Sequence, residues 1–249
     1  MEFLGPFLLG VGPLIVIFCL FIARKSFVVL LSLASAFYWL TILLALASLF
    51  AGVVPLPRRE GPHAVAVLVG VLVEQVAKYG LYRIYVNLRS LLGEAGRRTG
   101  HGFTSIDALW LSFGLGFGHA ATHATFFFVS LLETTSTDAT IYDFDRCPQM
   151  SFYVVSALIT LGFSMFHTFS TIVFFDGLSG KNTVQSIAPP LTHLIAALLT
   201  LANFRKDGCL ATVPLLLLIG IMSVIWAASI TWKEVKCQFP TRIHQSAED

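Results

Sequence analysis

Residues 108–132 form a stretch of 25 consecutive positions that carry no Asp, Glu, Lys or Arg. An α-helix rises about 1.5 Å per residue, so this stretch can cross a hydrocarbon core about 30 Å thick. Hydrophobic residues make up 56% of the 249 positions and charged residues only 12%. Such a composition is typical of membrane proteins and excludes an ordinary soluble domain. No basic run is long enough to follow nucleic-acid phosphates, so we expect contact with membrane lipid and no nucleic acid.

Small residues form one stripe of this predicted helix, and histidines form another. At about 3.6 residues per turn, Gly114, Gly118 and Thr122 share one face. His119 and His123 lie about 100° round from them. Lipid drives helices together only weakly, so tight association in a membrane needs small residues that let backbones touch. The pattern predicts a helix-packing or assembly groove at Gly114, Gly118 and Thr122, bordered by an ionisable edge.

Apolar runs separated by charged or Pro/Gly-rich breaks divide the chain into seven predicted spans. They cover residues 3–22, 27–54, 64–86, 108–132, 151–175, 184–204 and 209–232, and a short tail follows at 233–249. We therefore predict an all-α fold, a polytopic membrane protein whose single domain is a bundle of seven transmembrane helices. The break at residues 83–105, which contains arginines and glycines, is predicted to be flexible.

The positive charges predict the orientation of this bundle. When Arg83, near the end of span three, is counted with the break that follows it, the breaks after spans one, three and five and the tail hold ten Lys and Arg residues, and the opposite side holds five. Cytoplasmic loops retain the excess of positive charge, so the N-terminus is predicted to be exoplasmic and the C-terminus cytosolic. The loop at residues 133–146, which contains Asp138, Asp143 and Asp145, is accordingly predicted to be exoplasmic and acidic.

Ionisable side chains inside the predicted spans fall at one depth. Counting about 1.5 Å per residue from the cytosolic ends places His119, His167 and His193 at roughly 12 to 17 Å, near mid-membrane. Glu74 falls at the same level, and Lys78 follows it in the order that favours an i, i+4 ion pair. Ionisable groups are costly in lipid and mark candidate functional sites. We predict a polar, partner-binding cavity formed by Glu74, Lys78, His119, His123, His167 and His193.

Two interpretations of this polar layer stay open. The preferred one is that His167 and His193 are neutral groups that hydrogen-bond between helices. The alternative is a zinc site in which His119 and His123, four residues apart, bind the ion with one histidine of span five or six. Glu74 would then act as a base or as an outer-shell partner. No HExxH motif accompanies these histidines, so no metal and no cofactor are expected.

The sequence contains no complete set of catalytic residues. Tyr142 and Asp143 are similar to half of an intramembrane aspartyl-protease site, but they lie in a polar loop. The Gly-x-Gly at 114–116 lacks the following Asp that the other half needs, and one carboxylate alone cannot form a proton-sharing pair. Cys147 and Cys209 both lie near the exoplasmic boundary, where they could pair, but free buried thiols are the preferred interpretation.

Short motifs occur in six of the predicted spans. In spans one to four they are Gly12-Pro13, the AFYWL run at 36–40, Glu74-Gln75 with Lys78-Tyr79, and the glycine run of span four. In spans five and six they are HTF at 167–169, VFFD at 173–176, His193-Leu194 and LAN at 201–203. In this order and spacing, the motifs resemble the anterior-pharynx-defective (Aph) subunit family of γ-secretase along nearly the whole chain.

The resemblance implies a noncatalytic scaffold or assembly subunit of γ-secretase, an intramembrane aspartyl protease that cleaves type I membrane proteins and takes part in Notch signalling. Such a subunit binds nicastrin, presenilin and the presenilin enhancer, and presenilin supplies both catalytic aspartates. The implied location is the endoplasmic reticulum and Golgi, then later endomembranes or the plasma membrane. A GxxxGxxxG face in span four helps assemble the family's complex. Gly114 and Gly118 match two of its glycines, and Trp110 stands where the first would be, in a place suited to an interface anchor.

Two other functions compete with the scaffold. A seven-span metallohydrolase would use the histidine layer and would need three histidines and a water around one metal ion. A small-molecule transporter would more often show internal repeats, and the sequence contains none.

Overall fold

The computed structural model describes residues 4–53, 60–100, 102–129 and 147–245. Within these ranges the chain forms α-helices and no β-strand, which confirms the all-α prediction. The helices are α1 (Leu4–Ile17), α2 (Ser26–Val53), α3 (Glu60–Thr99), α4 (Ser105–Ala124), α5 (Phe152–Ser179), α6 (Thr183–Thr200) and α7 (Cys209–Gln245). Short π-helical turns extend α1 and α4, at Phe18–Ile22 and Thr125–Val129, and a 3₁₀ turn, Leu201–Phe204, extends α6. The predicted acidic loop at 133–146 lies outside the described residues.

Six of these seven helices are long and apolar enough to cross a membrane by their length and composition. The polytopic membrane fold predicted from the sequence is therefore confirmed. The helix outside this group is α4, in which three glycines, two histidines and one threonine lie among the apolar residues. Of its 20 residues, 12 are buried. Because protein surrounds α4, it does not need the apolar side chains that a lipid-facing helix requires.

Two helices extend more than ten residues beyond the predicted ends of their spans. The flexibility predicted for residues 83–105 is wrong, because α3 continues to Thr99. Leu, Arg, Glu and Ala, which favour helices, dominate this segment, and Arg98 bonds to Glu94 one turn earlier. With 40 residues, α3 is about 60 Å long, roughly twice the hydrocarbon thickness. Likewise, α7 continues to Gln245, past the predicted end of span seven at residue 232.

The centre of the bundle is α5. It packs against α1, α4, α6 and α7, and 72% of its apolar window is buried, compared with 22–33% for the other candidate spans. Its crossing with α7 is close because two glycines face each other there. A Cβ at Gly220 would lie 2.9 Å from the carbonyl oxygen of Gly162. Small residues at this crossing let the two backbones approach, which provides the packing that helix association in lipid depends on.

A disulfide joins Cys147, which precedes α5, to Cys209, the first residue of α7. The two Cα atoms lie 6.2 Å apart, and beside them Gln149 Nε2 donates to Asp207 Oδ1 at 2.9 Å. The interpretation that both cysteines are free buried thiols is therefore wrong. The segments that lead into α5 and α7 meet at one end of the bundle, and this proximity is a tertiary feature that cysteine positions in the sequence do not specify.

Candidate functional site

The start of α4, the helix that carries both predicted stripes, is set by a capping box. Asp107 N donates to Thr104 Oγ1 at 3.2 Å, and Thr104 N donates to Asp107 Oδ2 at 3.0 Å. These two bonds satisfy backbone donors that have no partner within the first turn of a helix. From this start, α4 places its two stripes against different parts of the bundle.

The stripe of Gly114, Gly118 and Thr122 packs against α2. A Cβ at Gly114 would lie 2.9 Å from Val28 Cγ1. A Cβ at Gly118 would collide with the backbone carbonyl oxygen of Ser32. These separations leave no room for a side chain at either position, as expected for backbones that approach through small residues. The predicted packing groove is thus filled by a helix of the same chain.

Hydrogen bonds accompany this contact between α2 and α4. Ser35 Oγ donates to the carbonyl oxygen of Leu115 at 2.6 Å, and Thr122 Oγ1 donates to that of Ala36 at 3.0 Å. Interhelical bonds of this kind contribute about 0.6 to 2 kcal/mol each in membranes. Any effect of the stripe on assembly of a complex therefore acts through the position of α2.

The opposite face of α4 packs equally closely against α5. Gly116 lies about 200° round the helix from Gly114. A Cβ at Gly116 would collide with the carbonyl oxygen of Thr168 and would lie 3.0 Å from Thr171 Cβ. Gly116 is not among the site residues that the sequence predicts. The signal for it is the alternation GLGFG at 114–118, because glycines two positions apart face different neighbours on a helix.

Trp110 lies one turn before Gly114, at the end of the glycine stripe. Lys25 Nζ, from the turn between α1 and α2, lies 4.2 Å from the centre of the Trp110 ring, in a cation–π contact. Phe113 meets the same ring edge-on, with 5.8 Å between ring centres. A glycine at position 110 would leave Lys25 without this contact. The role of an interface anchor for Trp110 stays a prediction.

Four helices meet at a buried cluster that we call the polar centre. It consists of Glu74 and Lys78 on α3, His119 and His123 on α4, His167 on α5 and His193 on α6. The ring centre of His167 lies 3.9 Å from that of His119, 4.7 Å from that of His123 and 4.9 Å from that of His193. His167 has no exposed surface, and Glu74 is only 8% exposed. The structure therefore brings together all six residues of the predicted polar layer.

Two hydrogen bonds connect α3 to its neighbours at the polar centre. His193 Nδ1 lies 2.6 Å from Gln75 Nε2, and Lys78 Nζ donates to Ser170 Oγ at 3.0 Å. Lys78 thus bonds to α5, whereas the sequence predicts a pair with Glu74 on its own helix. Gln75 and Ser170 are not among the predicted site residues. Gln75 directly follows Glu74, and Ser170 lies one turn before Phe174 on the buried face of α5, so polarity on a buried face is the signal for both.

The carboxylate of Glu74 faces histidines without bonding to them. Glu74 Oε2 lies 3.7 Å from His193 Nε2 and 3.8 Å from His119 Nε2, which is too long for a hydrogen bond. Among the residues that the structure describes, Glu74 Oε2 and both ring nitrogens of His119 and of His167 have no hydrogen-bond partner. Interhelical hydrogen bonding is therefore present at His193 but not at His167. Buried polar atoms in this state are costly.

Trp39 of α2 forms one wall of the polar centre. Its ring stacks on that of His119, with 3.6 Å between centres and 7° between planes. Trp39 has no exposed surface and lies one turn after Ser35, the residue that bonds to α4. The same face of α2 therefore contacts the glycine stripe and the histidine stripe. Trp39 is absent from the predicted site, because the sequence does not show which helix lies beside His119.

Three residues of the polar centre have the arrangement of metal ligands. Glu74, His167 and His193 each offer one ligand atom, and these atoms lie within 4.8 Å of one another. Two imidazoles and a carboxylate are a donor set that zinc accepts in proteins. This set differs from the alternative raised by the sequence, which relies on His119 and His123 of α4.

Within the described residues, Glu74 is the one carboxylate of the polar centre. Asp107 takes part in the cap of α4, and Asp176 lies near the end of α5. Asp143, part of the protease-like half-site seen in the sequence, lies outside the described residues. Aspartyl-protease chemistry needs two carboxylates close enough to share a proton, and the described helices do not bring such a pair together at this centre.

Comparison with known proteins identifies the family. The family model described as Aph-1 protein matches residues 1–234. The chain is 33% identical over 234 residues to the γ-secretase subunit APH1-like of Arabidopsis thaliana, an alignment that covers 93% of each protein. It is 26% identical over 231 residues to γ-secretase subunit Aph-1b of Danio rerio, covering 90% of this chain and 86% of that one. It is 28% identical over 205 residues to γ-secretase subunit Aph-1 of Drosophila melanogaster, covering 82% of each. With its helical membrane fold and a family match along almost its whole length, the chain belongs to the Aph-1 family.

Proposed function

We propose that this chain is a subunit of a γ-secretase complex and serves there as a noncatalytic scaffold that binds presenilin, nicastrin and the presenilin enhancer. The subunit role is supported by relatives from a plant, a fish and an insect, all named γ-secretase subunits and all aligned over at least 82% of this chain. The named partners, the cleavage of type I membrane proteins and the endoplasmic reticulum and Golgi location rest on the sequence resemblance.

The noncatalytic character is supported by the single carboxylate of the polar centre. A pair of aspartates that shares one proton cannot be built from Glu74 alone. In the complex the cleaving residues would come from presenilin. The role of this chain would then be to hold its partners in place.

The polar centre serves this role from inside the bundle. Its residues connect α3, α4, α5 and α6, and Glu74 and His167 are too deeply buried for a partner to reach without opening the helices. We therefore propose that the centre influences partner binding by fixing the relative positions of these four helices. Partners would contact their outer surfaces.

Co-expression with presenilin, nicastrin and the presenilin enhancer tests this function. The full chain, carrying a C-terminal tag, is expected to co-purify all three, and the complex is expected to cleave a type I membrane substrate. Replacing the two catalytic aspartates of presenilin should abolish cleavage without lowering recovery of the complex. Glu74→Gln should leave cleavage per recovered complex unchanged. Recovery of the chain without these partners, or a fully assembled Glu74→Gln complex that no longer cleaves, would contradict the scaffold.

The orientation of the scaffold is tested with reporters. A reporter after Asp249 is expected to be cytosolic, and one inserted within residues 134–140 is expected to be exoplasmic, because ten positive charges lie on one side and five on the other. The reverse labelling would overturn this orientation.

A further inference from the structure

We infer that Glu74, His167 and His193 form a binding site for a divalent transition metal ion of the zinc class, and that the ion ties α3 to α5 and α6. This inference goes beyond the scaffold role and does not depend on which partners the chain binds. It departs from the expectation of no metal, and it names a ligand set that the sequence did not single out.

The spacing of the three donors suits a small cation. Glu74 Oε2 and His193 Nε2 lie 3.7 Å apart. In a tetrahedral zinc site with bonds of about 2.0 to 2.1 Å, neighbouring ligand atoms are about 3.4 Å apart. The ligand atoms of Glu74, His167 and His193 all lie within 4.8 Å of one another. Side-chain rotations that shorten the longest of these separations by at most about 1.4 Å would bring the set to the spacing that zinc requires.

The hydrogen bonding of His193 favours a ligand at its other nitrogen. Nδ1 contacts the Gln75 amide at 2.6 Å, and the oxygen and nitrogen of an amide can be exchanged by rotation. When the amide oxygen of Gln75 accepts from Nδ1–H of His193, Nε2 of His193 carries a lone pair on the side of Glu74. Histidine ligands in metal sites are commonly oriented by such a hydrogen bond at their other nitrogen.

A ligand bound between Glu74, His167 and His193 must satisfy several hydrogen-bond acceptors at once. Glu74 Oε2 and both ring nitrogens of His167 lack hydrogen-bond partners among the described residues. A neutral imidazole has one acceptor nitrogen, so Glu74, His167 and His193 together present three acceptors to one point. One water molecule has two hydrogens and cannot donate to all three. A divalent cation binds all three through lone pairs.

The charge of Lys78 allows a test of the direction in which metal affinity changes. Its ammonium group is held by Ser170 at 3.0 Å, and it acts electrostatically on Glu74, His167 and His193. A positive charge that acts on all three ligands opposes the binding of a cation between them. Lys78→Met is therefore expected to strengthen metal binding. If the ammonium group of Lys78 were itself the cation that satisfies Glu74, the wild type would bind no metal ion and only Lys78→Met would bind one.

The experiment uses the full chain in lipid nanodiscs, purified with a tag that contains no histidine. The protein is titrated with Zn²⁺ and with Co²⁺, metal content is measured after dialysis, and the visible absorption of bound Co²⁺ reports the ligand geometry. We expect about one ion per chain with the intense bands of a tetrahedral site. Glu74→Gln, His167→Gln and His193→Gln should each weaken binding by more than about tenfold, since even outer-shell changes cost that much.

His123→Gln is the matched control, because the His123 ring contacts His167 but is not in the ligand set. His63→Gln is a remote control, since His63 lies on another part of α3, where it is buried against Phe204. Both variants should keep the affinity of the wild type. Size-exclusion profiles and helical content show which variants are folded. Absence of a Co²⁺ spectrum in the wild type, or equal loss in His123→Gln and His167→Gln, would overturn this site.

Discussion

Two faces of α4 meet their neighbours in opposite ways. Towards α2, Gly118 brings backbones into contact, and Ser35 and Thr122 donate hydrogen bonds to backbone carbonyls across the interface. Towards the polar centre, the ring nitrogens of His119 have no hydrogen-bond partner in the described part of the chain, although the ring is only 2% exposed. The first face is complete within this chain, whereas the second leaves polar atoms without partners. A complete contact contributes to folding, and an incomplete one indicates where a ligand is to be sought.

The largest expected effect is at the complete face. Gly118→Leu should leave most of the protein molecules unfolded, because the new side chain would collide with the backbone of α2. Unlike a side chain, this backbone cannot rotate away. Overpacking typically costs about 1–3 kcal/mol, and a clash with backbone lies at or above the upper end. The yield of monodisperse protein and of the co-purified complex measures this effect.

Gly70→Leu is the matched control for Gly118→Leu, because nothing lies within 4 Å of a Cβ at Gly70. Leu115→Ala is a poorer control. Leu115 is 2% exposed, so its truncation leaves a cavity that costs about 2–5 kcal/mol. Equal recovery of Gly118→Leu and Gly70→Leu would contradict a requirement for the close backbone contact at Gly118.

An intermediate effect is expected at the polar centre. His167→Ala combined with His193→Ala should reduce co-purification of presenilin, because Gln75 loses its partner at a cost of about 1–3 kcal/mol and the centre of the bundle loses two rings. His→Asn or His→Gln at the same positions should recover part of the loss, since an amide still donates and accepts.

His123→Ala serves as the comparison for these alanine variants, because His123 contacts His167 and is partly exposed. It should lower complex recovery less than the double variant does. Full assembly without cleavage in the amide variants would assign the two histidines a chemical role and contradict a structural one.

The smallest expected effect is the loss of one hydrogen bond at the complete face. Ser35→Ala removes the bond to the Leu115 carbonyl and should lower stability by about 0.6 to 1.7 kcal/mol, the range found for interhelical bonds in membranes. Ser32→Ala is the matched control, because Ser32 Oγ bonds to Val28 within α2 itself. The midpoints of thermal unfolding of the two variants separate interhelical from intrahelical bonding. A Ser32→Ala midpoint at or below that of Ser35→Ala would contradict this assignment.

Local periodicity explains how much of this site the sequence predicts. The angle per residue of a helix places Gly114, Gly118 and Thr122 on one stripe, and the rise per residue places Glu74, His119 and His193 at one depth. The structure shows both groupings. Neither quantity depends on which helices are neighbours.

The identity of the neighbours could not be predicted for the same reason. Depth does not determine the direction in which a helix faces, so the pairing of Gln75 with His193 and the stacking of Trp39 on His119 do not follow from spacing. The predicted end of span three at residue 86 assumes that a helix stops where charges begin. A helix can continue past the apolar segment when its residues favour helices, and α3 continues to Thr99.

The disulfide between Cys147 and Cys209 closes a covalent ring that contains the whole of α5 and α6. His167 and His193 lie inside this ring, and Glu74 and His119 lie outside it. A single proteolytic cut in the turn between α5 and α6, for example beside Lys181, would therefore leave one molecule that migrates intact on a denaturing gel until the sample is reduced. Two histidines of the polar centre would stay tethered after such a cut, so their helices could find each other again without a bimolecular encounter.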